Sequence, residues 1–254
     1  MSGAIQEASG VRPRRADAFG RALMDWTQGG TEPEILERED GVTDVGAGHE
    51  LYLAEFPRWP APERQALRYA RGRVVDVGCA AGRVALHLQG LGHDVVGVDA
   101  SRLAVQAARR RGVRRTRCVE VDALAPDIGS FDTIVLFGNN FGIFGTPDRL
   151  RTVLTRWAAD TSSGARILAE STDPFQGGAP TFDRGYWRRN VREGRMGGQV
   201  RLRTRYRAWA TPWFDWLFVS RRDMAALLGG TGWHQTRVLG GARGDAYVAL
   251  LEKG

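Results

Sequence analysis

The sequence predicts an α/β protein built on a doubly wound, largely parallel sheet. From about residue 72 onward, short β-branched runs alternate with amphipathic segments, an interval typical of βαβ units. Right-handed crossovers between such units bring the loops that follow the strands to one edge of the sheet, where ligands bind. The pattern predicts strands at 73–77, 94–98, 116–121, 132–137, 165–170 and 244–251, and helices at 82–90, 101–111 (opened by Ser101) and 147–159.

Two flanking regions do not follow this alternation. Residues 1–68 show no β alternation, and segments around 16–26 and 62–69 have helical periodicity, so this region is predicted to be a helical cap that contributes to a substrate pocket. Residues 69–254 then form the main domain. Within it, 199–209 and 213–219 are expected to pair as a hairpin, and 171–219 as a whole is expected to form a flap over the substrate.

The composition indicates a protein with a substantial core. Of 254 residues, 43% are hydrophobic and eight are tryptophan. No run of 18 apolar residues occurs, and the first twenty residues lack the apolar stretch of a secretory signal, so we expect neither a membrane span nor export. Two cysteines, Cys79 and Cys118, are too few for a disulfide framework. These features predict a cytoplasmic protein.

The formal charge of +7 raises the question of nucleic-acid binding. Lys253 is the only lysine, so the excess is almost entirely arginine. Several arginines, such as 109–111, fall at a predicted helix end, where cations favour the helix dipole. A solvated basic surface is therefore the favoured interpretation, and nucleic acid is not the expected partner.

The turn after the first strand reads DVGCAAGR, residues 76–83. A dinucleotide-binding turn needs G-x-G-x-x-G, but Ala80 and Arg83 occupy its second and third glycine positions. A phosphate-binding P-loop is excluded because no G-K-[ST] follows. The small residues still allow a ligand to lie against the backbone, and that ligand is expected to lack phosphate.

Three carboxylates end successive predicted strands: Asp76, Asp99 and Asp122. A carboxylate at position 99 can accept both hydroxyl groups of a ribose, because it has two acceptor oxygens. Asp122, next to Ala123, is placed to contact an adenine edge, and Asp76 is close to the turn, where it can face a cation. This set suits S-adenosylmethionine, which has a sulfonium and an ammonium but no phosphate.

The segments VVDVGCAAGRVALHLQGLGHDVVGVDAS, VEVDAL and FDTIVLFGNNFG resemble four motifs of the class I S-adenosylmethionine-dependent methyltransferases, in order, over about residues 70–170. The resemblance implies a Rossmann-like seven-stranded sheet with an N-terminal helical cap and an inserted β-hairpin or flap. One departure is Ala80, where the family usually has glycine. The cofactor-binding residues that it implies are Asp76, Gly78, Cys79, Ala80, Gly82, Asp99, Ala100, Asp122, Ala123 and Asn139.

The acceptor side is less constrained by motifs, because methyl transfer from a sulfonium depends mainly on alignment and needs a base only if the nucleophile is protonated. By residue type, His49 is the candidate base, and Asn140 in the loop after the fourth strand is the second catalytic candidate. Tyr52, Tyr186 and Trp213 are the candidate substrate contacts, the last two within an aromatic-rich insertion. No metal is expected.

The leading hypothesis is methyl transfer to a small-molecule acceptor in biosynthesis, by a monomer or homodimer. An RNA or protein methyltransferase is the alternative, supported by Arg201, Arg203 and Arg205 on one face of a predicted strand. A protein that binds S-adenosylmethionine without catalysis is a further alternative. An NAD-dependent oxidoreductase is disfavoured by Ala80 and Arg83.

Overall fold

The structure is a computed structural model, and it describes residues 14–124, 130–176, 183–241 and 246–254. Parts of three predicted regions lie outside the described residues: 1–13 of the cap, 177–182 of the flap, and 244–245 of the last predicted strand. Within the described ranges, no helix is both long and apolar enough to cross a membrane.

The elements follow one another in three groups along the chain. The first group comprises β1 (Arg14–Arg15), α1 (Ala18–Trp26), β2 (Ile35–Arg38), β3 (Thr43–Val45), α2 (Gly48–Tyr52) and α3 (Ala61–Ala66). The second comprises β4 (Arg73–Val77), α4 (Arg83–Gly90), β5 (Asp94–Asp99), α5 (Arg102–Arg110), β6 (Thr116–Cys118), β7 (Thr133–Leu136), α6 (Pro147–Asp160) and β8 (Arg166–Thr172). The third comprises α7 (Arg184–Arg192), β9 (Gln199–Tyr206), β10 (Trp209–Ala210), β11 (Phe214–Leu217), α8 (Arg221–Leu227), β12 (Trp233–Gly240) and β13 (Ala246–Lys253).

The central sheet has seven strands in the order β12-β13-β8-β7-β4-β5-β6. Strands β8, β7, β4, β5 and β6 are parallel, while β13 is antiparallel to both of its neighbours. The order reverses between β4 and β7, which places a topological switch point beside the turn after β4. The predicted doubly wound α/β class with a seven-stranded sheet is therefore confirmed.

Burial explains why the central strands are near-continuous apolar runs. Val74, Val75 and Val77 of β4 are all buried, as are Ile134 and Leu136 of β7. Helices cover both faces of a parallel sheet, so its strands do not alternate between apolar and polar residues. Apolar layers on both faces of the sheet hold the carboxyl ends of β4, β5, β7 and β8 at one edge of the sheet.

A second sheet shares no strand with the central sheet. Its six strands include β1-β10-β9-β2-β3, with β11 also paired to β9. The N-terminal region therefore contains the predicted helices but also β2 and β3, which the sequence analysis did not anticipate. These strands are only four and three residues long. Strand β2 pairs with β9, and Leu36 lies opposite Thr204 in that pairing. Local periodicity does not reveal a pairing between segments so far apart.

In the C-terminal part, the main difference is that the structure contains one strand, β12, that was not predicted. The hairpin is confirmed, since β9 and β11 are antiparallel with Leu202 opposite Phe214. Ser220 caps α8, its side chain accepting a hydrogen bond from the Asp223 backbone amide. Strand β12 was not predicted, because all but one of its residues are exposed or half-buried and lack the buried run that marks a strand in the sequence.

Candidate cofactor and acceptor site

A cavity of about 1170 Å³ lies at the switch point of the central sheet. One side is formed by the loops after β4, β5 and β7 and by the end of β8. The other side is formed by α1, α2 and the second sheet, chiefly β9 and the segment around β11. The chain thus places residues from its first and third groups of elements over the strand ends of its second group.

The turn after β4 has three residues in the left-handed region. Gly78 has φ +70°, Ala80 +47° and Gly82 +77°. The backbone amides of Gly78 and Cys79 donate to the Val98 carbonyl at 2.8 and 3.0 Å, which ties the turn to β5. Alanine at position 80 therefore adopts a conformation that favours glycine, and this accounts for the family's usual glycine there.

Asn140 holds this turn from the opposite side. Its amide nitrogen donates to the Val77 carbonyl at 2.8 Å and to the Gly78 carbonyl at 3.1 Å. A Cβ at Gly78 would overlap that amide, so the close approach requires glycine. Asn140 lines the cavity, but its amide nitrogen is used in positioning the turn. These contacts give Asn140 a positioning role, and the catalytic role expected from the sequence stays a prediction.

Asp99 ends β5 at the cavity wall, as predicted. Its Oδ2 accepts a hydrogen bond from the Ala80 amide at 3.0 Å, and its Oδ1 accepts one from the Ser101 amide at 2.8 Å. Burial raises the pKa of the Asp99 carboxyl to about 6, although these two amide bonds act in the opposite direction. Because a carboxylate has about four acceptor sites, lone pairs remain for ligand hydroxyls.

Asp76, the acid within β4, is only 3% exposed and also lines the cavity. Its Oδ2 accepts a hydrogen bond from the Ala85 amide at 3.2 Å, near the start of α4. Burial raises the pKa of the Asp76 carboxyl to about 7, and the nearby Arg83 guanidinium opposes this shift. A cationic ligand group beside Asp76 would favour its ionised form.

A buried group of charges beside Asp76 was not anticipated from the sequence. Arg83 donates to both carboxylate oxygens of Glu63 at 2.6 Å, and these side chains are 8% and 1% exposed. Glu170, on β8, accepts from the Gly138 amide at 2.5 Å. Burial and the neighbouring Glu63 raise the pKa of the Glu170 carboxyl well above its usual range. No sequence signal links these residues, since they come from α3, α4 and β8.

Two predicted adenine contacts lie outside the cavity lining. Asp122 is bound by Arg149, whose Nε lies 2.8 Å from its Oδ2, and Ala123 follows it in a short 3-10 turn. The cavity is lined instead by the preceding residues Val119, Glu120 and Val121. The predicted strand extended to residue 121, but β6 ends at Cys118, so the side-chain alternation expected for this segment is lost.

Two of the acceptor-side predictions are not supported. His49, on α2, lies outside the cavity lining, which includes its neighbours Ala47 and Tyr52. Tyr186 is buried against Trp187 beneath β9, and its hydroxyl donates to Glu39 at 2.9 Å. Tyr186 thus packs against the second sheet, in a cluster with Trp187, Val200 and Leu202.

Of the remaining predicted residues, Gly82 also lies outside the cavity lining, where a Cβ would meet the Val113 side chain, and the others face the cavity. Tyr52 lines it and stacks on Trp26, with ring centroids 5.7 Å apart. Trp213 lines it as well, with the Arg203 guanidinium over its ring at 4.6 Å. Asn139 lines it and accepts from the Thr172 hydroxyl at 2.7 Å. Ala100 and Cys79 complete the predicted residues that reach the cavity.

The residues that line the cavity suit S-adenosylmethionine, a ligand that contains no phosphate. The turn lets a ligand lie against the backbone, and two carboxylates, the buried Asp76 and the half-buried Asp99, face the same cavity. Within the described ranges, no group of three or more metal-ligating side chains occurs. The donor set therefore suits a cationic, hydroxyl-bearing organic ligand.

Comparisons with known proteins agree with this geometry. Residues 74–160 match a family model described as a methyltransferase domain. The fold is similar to that of a SAM-dependent methyltransferase from Bacteroides fragilis, crystallised in complex with S-adenosyl-L-homocysteine. That likeness has a TM-score of 0.77 and 24% identity, and it covers 96% of this chain and 98% of the other.

Two further solved structures share the fold over a smaller part of this chain. The CcbJ methyltransferase from Streptomyces caelestis has a TM-score of 0.57 and 12% identity, covering 78% of this chain and 94% of the other. A SAM-dependent methyltransferase from Methanosarcina mazei has a TM-score of 0.57 and 15% identity, covering 73% and 95%. The resemblance found in the sequence is thus confirmed at the level of the domain and its fold.

Proposed function

We propose that this protein methylates a small-molecule acceptor enclosed within its cavity. The premise is that residues 74–160 match a methyltransferase-domain model and that the fold is similar to that of a SAM-dependent methyltransferase. The observation that carries this proposal is the cavity itself. It connects the turn after β4, where the cofactor is expected, with the aromatic side of the second sheet.

The size of the cavity supports two ligands side by side. Pockets for one drug-sized ligand have volumes of roughly 300–1,000 Å³, whereas this cavity has about 1170 Å³. A cofactor at the turn would therefore leave space next to the second sheet. Three aromatic residues there, Trp213, Phe214 and Trp216, provide an apolar wall for the acceptor.

The RNA alternative loses its main support once the arginines of β9 are placed. Arg203 forms a bidentate pair with Glu37 at 2.7 and 2.9 Å, and Arg205 contacts the same carboxylate at 3.2 Å. Arg201 lies 3.8 Å from Asp215. Because carboxylates on the same sheet pair with these cations, the row is a weaker match for phosphates than the sequence suggested.

The chain's own residues account for binding and alignment in this mechanism. When bound, S-adenosylmethionine supplies a methyl group on a positively charged sulfur. Asp99 would hold the ribose hydroxyls, and the turn at 78–82, fixed by Asn140, would hold the methionine part. Asp76 lies in the buried wall beside this turn, where its ionised form would act strongly on a cation. Closure by α2 and the second sheet would exclude water from the acceptor.

The test is calorimetric titration with S-adenosylhomocysteine, with NAD as the control ligand, on the parent and on Asp99→Ala. We expect micromolar binding of S-adenosylhomocysteine alone, lost in the variant. Methyl transfer is then assayed with methyl-labelled S-adenosylmethionine against a small-molecule extract, total RNA and total protein. Label transferred only to the small-molecule fraction would support the proposal, and label in RNA or protein would support the alternative.

We further propose that the protein acts in the cytoplasm and in a biosynthetic reaction. Both cysteines are free thiols, with Cys79 buried and Cys118 exposed, which suits a reducing compartment. Cell fractionation with an antibody to the chain tests the location. Recovery in an extracellular or membrane fraction would contradict it.

A further inference from the structure

Glu34 is a buried carboxylate on the acceptor side of the cavity. It precedes β2, and its backbone carbonyl accepts a hydrogen bond from the Gly46 amide at 2.8 Å, which extends the pairing of β2 with β3 by one residue. Side chains two positions apart in a strand share a face. Glu34 and Leu36 therefore point the same way, and both line the cavity.

This carboxylate has little solvent and no cation to stabilise its charge. Glu34 is 2% exposed. Its Oε2 accepts from the Gly48 amide at 3.2 Å, and among the described residues no basic side chain pairs with it. Burial raises the pKa of the Glu34 carboxyl, opposed only by backbone hydrogen bonds. A buried charge without a counter-ion is costly, so a cationic group in the cavity would relieve that cost.

The surroundings of Glu34 are those of a site for an organic cation. The wall formed by the second sheet also carries apolar and hydroxyl side chains, among them Leu202, Thr204, Trp213 and Phe214, and one further acid, Asp215, which lies 3.8 Å from Arg201. Aromatic faces attract cations as well as apolar groups. Gly46 also makes room for the carboxylate, since a Cβ there would overlap the Glu34 side chain.

The charge of the cavity differs in sign from the charge of the protein. The chain carries a formal charge of +7, but carboxylates clearly outnumber guanidinium groups among the residues that line the cavity. Two of those guanidiniums already have carboxylate partners, since Arg83 binds Glu63 and Arg149 binds Asp122. The interior field therefore favours positively charged ligands and disfavours anions.

We propose that the acceptor carries a positively charged amine, and that Glu34 binds this ammonium group at the aromatic wall of the cavity. This inference rests on the proposed function, because it assigns the substrate class of the same site. The backbone amides of Glu34, Ala47 and Gly48 use at most three of the about four lone pairs of the carboxylate, so an ammonium group still has an acceptor site. A strictly structural role, capping the start of α2, would not require a charge.

The test uses probes that share a ring and differ in charge. The protein, saturated with S-adenosylhomocysteine, is titrated with tryptamine, tryptophol and indole-3-acetate, and in a second series with phenethylamine, phenethyl alcohol and phenylacetate. The amine of at least one series is expected to bind about tenfold or more tightly than its alcohol, with the acid weakest. Equal affinities, or absence of binding in both series, would overturn the proposal.

The variant Glu34→Gln separates charge from capping, since its amide oxygen can still accept from Gly48. We expect it to lose the preference for the amine by about tenfold and to leave the alcohol unchanged. Glu50→Gln, an exposed glutamate on α2, is the matched control and should retain the preference. A Glu34→Gln protein with parental amine affinity would refute the role of Glu34.

Binding of S-adenosylhomocysteine distinguishes failure of this inference from failure of the proposed function. If the parent protein does not bind it, the proposed function fails first. If the parent binds it and Glu34→Gln weakens that binding about tenfold, Glu34 belongs to the cofactor site and the inference is wrong. Unchanged affinity in the variant, together with loss of amine preference, supports both.

Discussion

The backbone amide of Ala80 donates a 3.0 Å hydrogen bond to Oδ2 of Asp99, so the turn after β4 and the end of β5 are locked to each other. The residue whose identity departs from the family pattern is thus bonded to the acid expected to hold the ribose. Any change at either position alters the geometry of both, and this coupling underlies two of the following predictions.

Asp99→Ala should weaken binding of S-adenosylhomocysteine about 100-fold. The variant removes two charge-assisted hydrogen bonds to the ribose, each worth about 1.5 kcal/mol or more, and it also releases the amides of Ala80 and Ser101. Calorimetry measures the affinity, and far-UV circular dichroism checks the fold. Asp94→Ala at the exposed start of the same strand is the control. Parental affinity in Asp99→Ala would remove Asp99 from the cofactor site.

Ala80→Gly should raise the free energy of unfolding by up to about 1 kcal/mol. Alanine at φ +47° is strained, and relief of about 1–2 kcal/mol exceeds the entropy that glycine loses on folding, about 0.5–1 kcal/mol. Urea unfolding measures the difference. The neighbour Ala81, which is buried without a positive φ, should lose about 1–2 kcal/mol on the same substitution. Destabilisation of Ala80→Gly as large as that of Ala81→Gly would contradict the strain.

Asp76→Asn should reduce the loss of stability that accompanies rising pH. Burial raises the pKa of the Asp76 carboxyl from about 4 in the unfolded chain to about 7 in the folded one. The group's contribution to stability is therefore fully present below pH 4 and is lost as the pH rises through 7, because the unfolded state ionises more readily. Urea unfolding of parent and variant at pH 5 and pH 8 measures this. An equal fall in both proteins would show that Asp76 does not titrate in this range.

Asn140→Ala should weaken binding of S-adenosylhomocysteine about tenfold. The Val77 and Gly78 carbonyls would lose their shared donor, so the turn would no longer be held in its ligand-binding geometry. Asn140→Asp should weaken binding further, because a carboxylate would face the same carbonyl oxygens. The matched control is Asn190→Ala, which affects the second sheet near Gln199. Reduced turnover with unchanged affinity would instead indicate the catalytic role expected from the sequence.

The sequence by itself determined six of the seven strands of the central sheet and most of the residues that line the cavity beside the turn after β4. Strand and helix periodicity locate β4 to β8, and the turn at 78–82 with Asp76 and Asp99 follows from local spacing, because chain connectivity fixes where parallel strands end. Gly82, Asp122 and Ala123 are the predicted residues that lie outside the cavity lining. The early end of β6 and the ion pair with Arg149 place Asp122 outside the cavity, and the sequence does not show where a strand stops.

Only the tertiary structure decided the acceptor side. His49 and Tyr186 were chosen by residue type, but α2 keeps one outside the cavity lining and the second sheet buries the other. Glu34, Glu63, Arg83 and Glu170 share the cavity although they come from four separate parts of the chain. Their juxtaposition depends on β2 pairing with β9 and on α3 packing against the central domain. Such contacts join residues distant in the chain, so neither local periodicity nor motif spacing contains them.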